Sequence, residues 1–146
     1  MPLSYPADFQ PQTQDFLIKL LQNNAGLIML IAKRVAAENQ VGTAQPIYPM
    51  VTLNCVGLGG DPGIDEIDFP IYTIEISSKK NSAECWAIYV LIRKLLHNKN
   101  FETSASFIEK VTEIWKSDSV FSRMDQTWKL TARYRAAVTA KTITVP

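Results

Sequence analysis

A chain of 146 residues, 47% of them hydrophobic, is long enough for one core and short for two. Lys and Arg together number 15 against 14 Asp and Glu, intermixed along the chain with a formal charge of +1, so charge alone gives no strong pull toward nucleic acid or anionic lipid. The longest apolar run, AGLIMLIA from Ala25 to Ala32, is too short to span a bilayer and lacks a signal peptide's position and cleavage pattern, so the chain is expected to fold in the cytoplasm without a membrane partner.

The opening MPLSYPADFQPQTQ carries three prolines and little that can pack, and residues 1–13 read as an extended arm ahead of a single domain over 14–146. A helical pattern starts at about Thr13, with Phe16, Leu17, Leu20 and Leu21 on one side, and QNNAG interrupts it. Leu27 to Glu38 reads as a second helical piece, although Val35 also suits a short strand.

The β-branched segment from Met50 to Val56, led by Pro49, predicts a strand. LGGDPGIDEID follows, with three glycines, one proline and four carboxylates in eleven residues, which argues for a long exposed loop before a second strand over Phe69 to Ser78. In that strand Tyr72, Ile74 and Ile76 share the face suited to a core, while Ile71, Thr73 and Glu75 share the other.

SSKKNS breaks the alternation. Asn81, with Glu84 three residues on, is a candidate N-cap for a helix from Ser82 to about His97. Cys85, Ile88, Tyr89, Leu91, Ile92, Leu95 and Leu96 form its core stripe, whereas Trp86 and Val90 fall among Arg93, Lys94 and His97 on the side expected to meet water. Either a loop or chain terminus of the same molecule covers Trp86, or a second subunit does, since Trp and Arg are favoured interface anchors.

NKNFETSA reads as a connector. In SFIEKVTEIWKS, the positions Phe107, Ile108, Val111, Ile114 and Trp115 fit helical spacing slightly better than strand spacing. Near the end, Trp128, Leu130, Ala132, Tyr134, Ala136 and Val138 alternate with Lys129, Thr131, Arg133 and Arg135, which predicts a half-buried strand. These elements make an α+β fold: one domain with a small mixed or antiparallel sheet packed against helices.

Signals for catalysis are weak. The one histidine, His97, lies near a helix end beside Arg93 and Lys94, and no motif brings a Ser or Cys nucleophile to it. Asp61, Asp65, Glu66 and Asp68 lack the spacing of an EF-hand, and GLGGDPG lacks the lysine and following helix of a phosphate loop. Cys55 and Cys85 have no CxxC spacing and read as buried free thiols, with a disulfide between them as the alternative. Lys129, Arg133 and Arg135 suit the wet side of a sheet or a guarded edge better than a surface for DNA phosphates. No enzyme, metal or cofactor is expected.

The order of landmarks, from LIAKRV through PMVTL, the glycine- and acid-bearing loop and FPIYTIEISSKKNSAECWAIYVLIRKLL to TEIWKSDSVFSRMDQTWKLTARYRAAV, resembles the small tail completion, or tail terminator, proteins of long-tailed bacteriophages and prophages. The resemblance covers most of the chain after about Gln14. It implies a six-membered ring of identical chains at the head-proximal end of the virion tail, capping the tail tube and offering a face to the head connector or head-completion protein, with DNA only passing through its lumen. It also implies that Phe107 to Lys116 is a strand paired with Thr127 to Val138. On that reading Trp86, Val90, Arg93, Lys129, Arg133 and Arg135 are candidates for the subunit contact. Gly59, Gly60, Asp61, Ile64, Asp65 and Glu66 are candidates for a loop that reaches a partner. The competing readings are a head-closure or neck protein of the same machinery and a small ligand-binding regulatory domain.

Overall fold

The computed structural model describes residues 9–37, 47–58, 67–103 and 106–140. Helix α1 spans Phe9–Gln22, α2 Ala25–Ile31 and α3 Ser82–Leu96. The strands are β1 Val35–Ala36, β2 Met50–Leu58, β3 Ile67–Asp68, β4 Pro70–Ser78, β5 Lys99–Glu102, β6 Ser106–Lys116, β7 Val120–Ser122 and β8 Thr127–Ala140. Strand order in the mixed sheet is β1-β2-β4-β8-β6-β5, with β3 and β7 also pairing with β8. The β1–β2 pair is parallel and the others are antiparallel. The fold is α+β.

One sheet face carries the core. Val51, Leu53, Tyr72, Ile74, Ile76, Leu130, Ala132, Tyr134, Ala136 and Val138 are buried, joined by Leu17, Leu21, Leu27 and Ile31 from α1 and α2 and by Cys85, Ile88 and Ile92 from α3. The alternation in β4 and β8 therefore reads as anticipated, and Pro70 opens β4, where a missing N–H costs least. Helix α1 touches β1 and β2 and also reaches β6, so the sheet curls around it. Two side-chain contacts fix that arrangement: Thr13 Oγ1 and Ser106 Oγ share a buried hydrogen bond at 3.2 Å, and the Cys55 N–H donates to Gln14 Oε1 at 3.2 Å.

Asn81 caps α3 by accepting from the Glu84 N–H at 2.9 Å. The reciprocal arm of a capping box is redirected: the Glu84 carboxylate accepts from Ser78 Oγ at 2.7 Å, tying the end of β4 to the first turn of the helix. This short tie is how a strand feeds directly into a helix. On the other flank of α3, α2 packs against Leu91: a β-carbon at Gly26 would make ordinary contact with Leu91 Cδ1 at 3.5 Å and would crowd only the capping Asn24 Oδ1, at 3.3 Å.

Several expectations change. Helix α1 begins at Phe9 rather than near Thr13, and residues 1–8 of the expected arm lie outside the described residues. The second helical piece stops at Ile31, because Ala32 and Lys33 take left-handed backbone angles (φ 47° and 64°) and turn the chain into β1, so Val35 is a strand residue. The connector after α3 contains a strand, β5. The helical reading of SFIEKVTEIWKS is overturned by its pairing as β6, with Ile108 opposite Val138 and Glu113 opposite Tyr134, as the resemblance implied. Neither cysteine is in a disulfide, but only Cys85 is fully buried, where burial raises its thiol pKa; Cys55 is half-buried.

Candidate subunit interface

The sequence-predicted residues fall on two separate surfaces. Trp86, Val90 and Arg93 share a flank of α3 that leans over β6, while Lys129, Arg133 and Arg135 project from the opposite face of the sheet, alternating with the buried residues of β8.

On the helix flank, Trp86 is half-buried under its own chain: its ring meets Tyr89 edge-on at 5.6 Å between centroids, and Lys116 Nζ sits 5.0 Å above it. The covering group is thus a strand residue, neither a loop nor a terminus. Val90, one turn on, remains 45% exposed.

Arg93 belongs to a network that sequence reasoning did not anticipate. Its Nε donates to Glu113 Oε2 at 3.2 Å, while Glu113 Oε1 accepts from Tyr134 Oη at 3.2 Å and, by a very short bond, from Tyr89 Oη. The Glu113 N–H in turn donates to His97 Nδ1 at 3.1 Å. One carboxylate therefore holds two phenols and a guanidinium, and His97 occupies a backbone donor of the same residue. Burial first, and then the Glu113 acceptor, pushes the Tyr89 phenol up to about 12 and raises Tyr134 further in the same direction. Hydrogen bonding to Glu113 raises Arg93. The imidazole serves the sheet, since its Nδ1 is committed to a backbone amide.

On the sheet face, Arg133 lies 5.2 Å from the Trp115 ring, directly across the β6–β8 ladder. Lys129 is already paired, at 3.0 Å from Asp125 and 3.5 Å from Glu75. Thr127 Oγ1 and Lys129 hold the Asp125 carboxyl well below the usual carboxylate range. Arg135 has no carboxylate partner among the described residues. Exposed apolar side chains follow one another from β6 into the β7–β8 hairpin: Ile114, Trp115 and Val120 are exposed, Phe121 is exposed on the helix side, where it packs on Trp128 at 5.3 Å, and Met124 at the turn is 99% exposed. Such a concentration is what a partner surface covers.

Gly59, Gly60, Asp61, Ile64, Asp65 and Glu66 lie outside the described residues, as does any geometry of their loop. Its two ends are placed: Leu58 pairs with Pro70, and Ile67 pairs with Thr139. Among the described residues no group of three His, Cys, Asp or Glu side chains is arranged to hold a metal, and no helix is long and apolar enough to cross a membrane.

Comparison with known proteins adds one finding about architecture. No family model matches the chain, and no curated protein matches it. Among solved structures it is similar to a chain from the virion of a native gene transfer agent (GTA) particle, with a TM-score of 0.72 over 84% of this chain and 91% of that one. The fold is shared across nearly the whole of both. Identity is 13%, so the likeness speaks to the fold alone.

Proposed function

We propose that this protein is a structural subunit of a phage-type virion, and within that class a tail terminator: a ring of identical chains, six in number, that caps the finished tail tube and presents the face to which the head joins. The observation that carries the class is the fold match, over 84% of this chain, to a protein of a virion particle; the tail-terminator role within it rests on the resemblance in the sequence. The landmark order of the sequence supports the same class.

The surfaces suit such a role. A ring is built from heterologous contacts, in which two different patches of each chain meet, and closure of the circle stops the growth that a head-to-tail contact otherwise propagates. The α3 flank with Trp86 and Val90 and the sheet face with Trp115, Arg133 and Arg135 are two such patches on opposite sides of one sheet. In this reading termination is a matter of geometry and no reaction takes place. The ring's partners are the tail tube protein and the head connector or head-completion protein, it sits at the head-proximal end of the tail, and DNA only traverses its lumen.

Electron microscopy of particles assembled with and without this chain tests the role. Without it, heads and tails accumulate unjoined, and tails no longer stop at one length. A chain lacking Gly59 to Ile64 folds but also fails to join them. Normal joined particles in the absence of the chain overturn the proposal.

A further inference from the structure

Beside Arg135 the outer sheet face sinks into a groove of about 530 Å³ lined by Phe69, Ile71, Lys110, Thr112, Arg135, Ala136 and Ala137. Its origin is a β-bulge. The β6–β8 register slips between Glu109 and Thr112, and Lys110 takes a left-handed backbone angle (φ 47°), so that two residues of β6 face a single step of β8 and the strand bends away. The floor is apolar. The two charges on its lining are both positive, Lys110 and Arg135, and neither has a carboxylate partner among the described residues.

An apolar floor with two unpaired cations fits a segment that carries aliphatic side chains and carboxylates together. Nucleic acid fits less well, because a phosphate backbone gains nothing from Phe69 and Ile71, and the chain's formal charge is only +1. The sequence itself holds a stretch of matching chemistry: Gly63-Ile64-Asp65-Glu66, ahead of β3. We infer that the groove receives the Ile64-Asp65-Glu66 segment of a neighbouring copy, with its carboxylates against Arg135 and Lys110 and its aliphatic side chain on the floor. This contact rests on the ring reading and specifies one of its joints: groove of one chain, acidic segment of the next.

Charge reversal tests the pairing. Arg135 is exposed and has no carboxylate partner among the described residues, so Arg135→Glu leaves the fold, checked by circular dichroism, while setting like charges against each other at the joint. Sedimentation should show Arg135→Glu and Glu66→Arg each weakening the oligomer by about tenfold or more. The double variant recovers it to within about threefold of the native chain. Mixing the two single variants also recovers assembly, since an alternating ring then has opposite charges at every joint; a contact within one chain gains nothing from mixing. A native chain that oligomerises but is indifferent to Arg135→Glu overturns the groove assignment and leaves the ring. Salt-sensitive oligonucleotide binding that vanishes in Arg135→Glu while the oligomer persists overturns it as well. A native chain that sediments as single copies at every concentration overturns both.

Discussion

Replacing Glu113 by Ala should destabilise the protein by about 2–6 kcal/mol, because it strands two buried phenols at about 1–3 kcal/mol each. Tyr89 is 5% exposed and Tyr134 0%, so neither hydroxyl can turn to bulk water without moving its ring. Arg93 adds little to the sum, because its side chain is 46% exposed and recovers hydration when the pair is lost. Glu113→Gln keeps a carbonyl oxygen that both phenols can reach and loses mainly charge assistance, so its cost is about 1 kcal/mol. Guanidinium unfolding measures both variants against a native stability of about 5–15 kcal/mol, typical of a domain. In a double-mutant cycle, Tyr89→Phe should cost far less in the Ala background than in the native chain. A Glu113→Ala loss below about 1 kcal/mol, or equal losses for Ala and Gln, would refute the claim that this carboxylate ties α3 to the sheet.

Three further expectations follow from the geometry. The folded chain favours neutral Tyr89 and Tyr134, so the stability they contribute is whole below the ordinary phenol pKa of 10.0; the part from Tyr89 is lost as pH rises through about 12, and Tyr134, raised further, holds its proton longer. Phenolate absorbance should show a late-titrating group, and ionisation of every tyrosine near 10.0 would contradict it. Asn81→Ala should cost about 1 kcal/mol in the same unfolding assay, by removing the cap on α3, and a change under about 0.3 kcal/mol would show the cap to be idle. Trp86→Glu should weaken self-association while leaving the monomer folded, and an unchanged sedimentation profile would remove the α3 flank from the interface.

The sequence made α3 legible because its cap, its stripe and its strand-to-helix entry are local signals, each spanning a few residues. Strand β8 was legible for the same reason, since an uninterrupted alternation over Trp128 to Val138 has only one reading. Strand β6 misled. Its bulges put an extra residue between Ile108 and Val111, both buried, and that spacing of three imitates a helix turn. Strands β5 and β7 carry no alternation to find: Lys99, Asn100 and Glu102 are exposed on an edge, and β7 is three residues long. The Glu113 network was invisible for a different reason. Its members come from α3, β6 and β8, and only the sheet register brings Glu113 opposite Tyr134. Glu113 also lies in a segment whose spacing imitates a helix, which hides the strand face it shares with Tyr134. The separateness of the two candidate patches likewise emerged only once β8 was seen with helices on one side and its arginines on the other.

Native mass spectrometry of the purified chain tests closure most directly. A terminating ring gives one dominant species, six copies, whose size does not climb as concentration rises, and electron microscopy of the same sample shows annuli. A ladder of ever larger species, or single copies throughout, would contradict the account: the first because the contact does not close, the second because no contact exists.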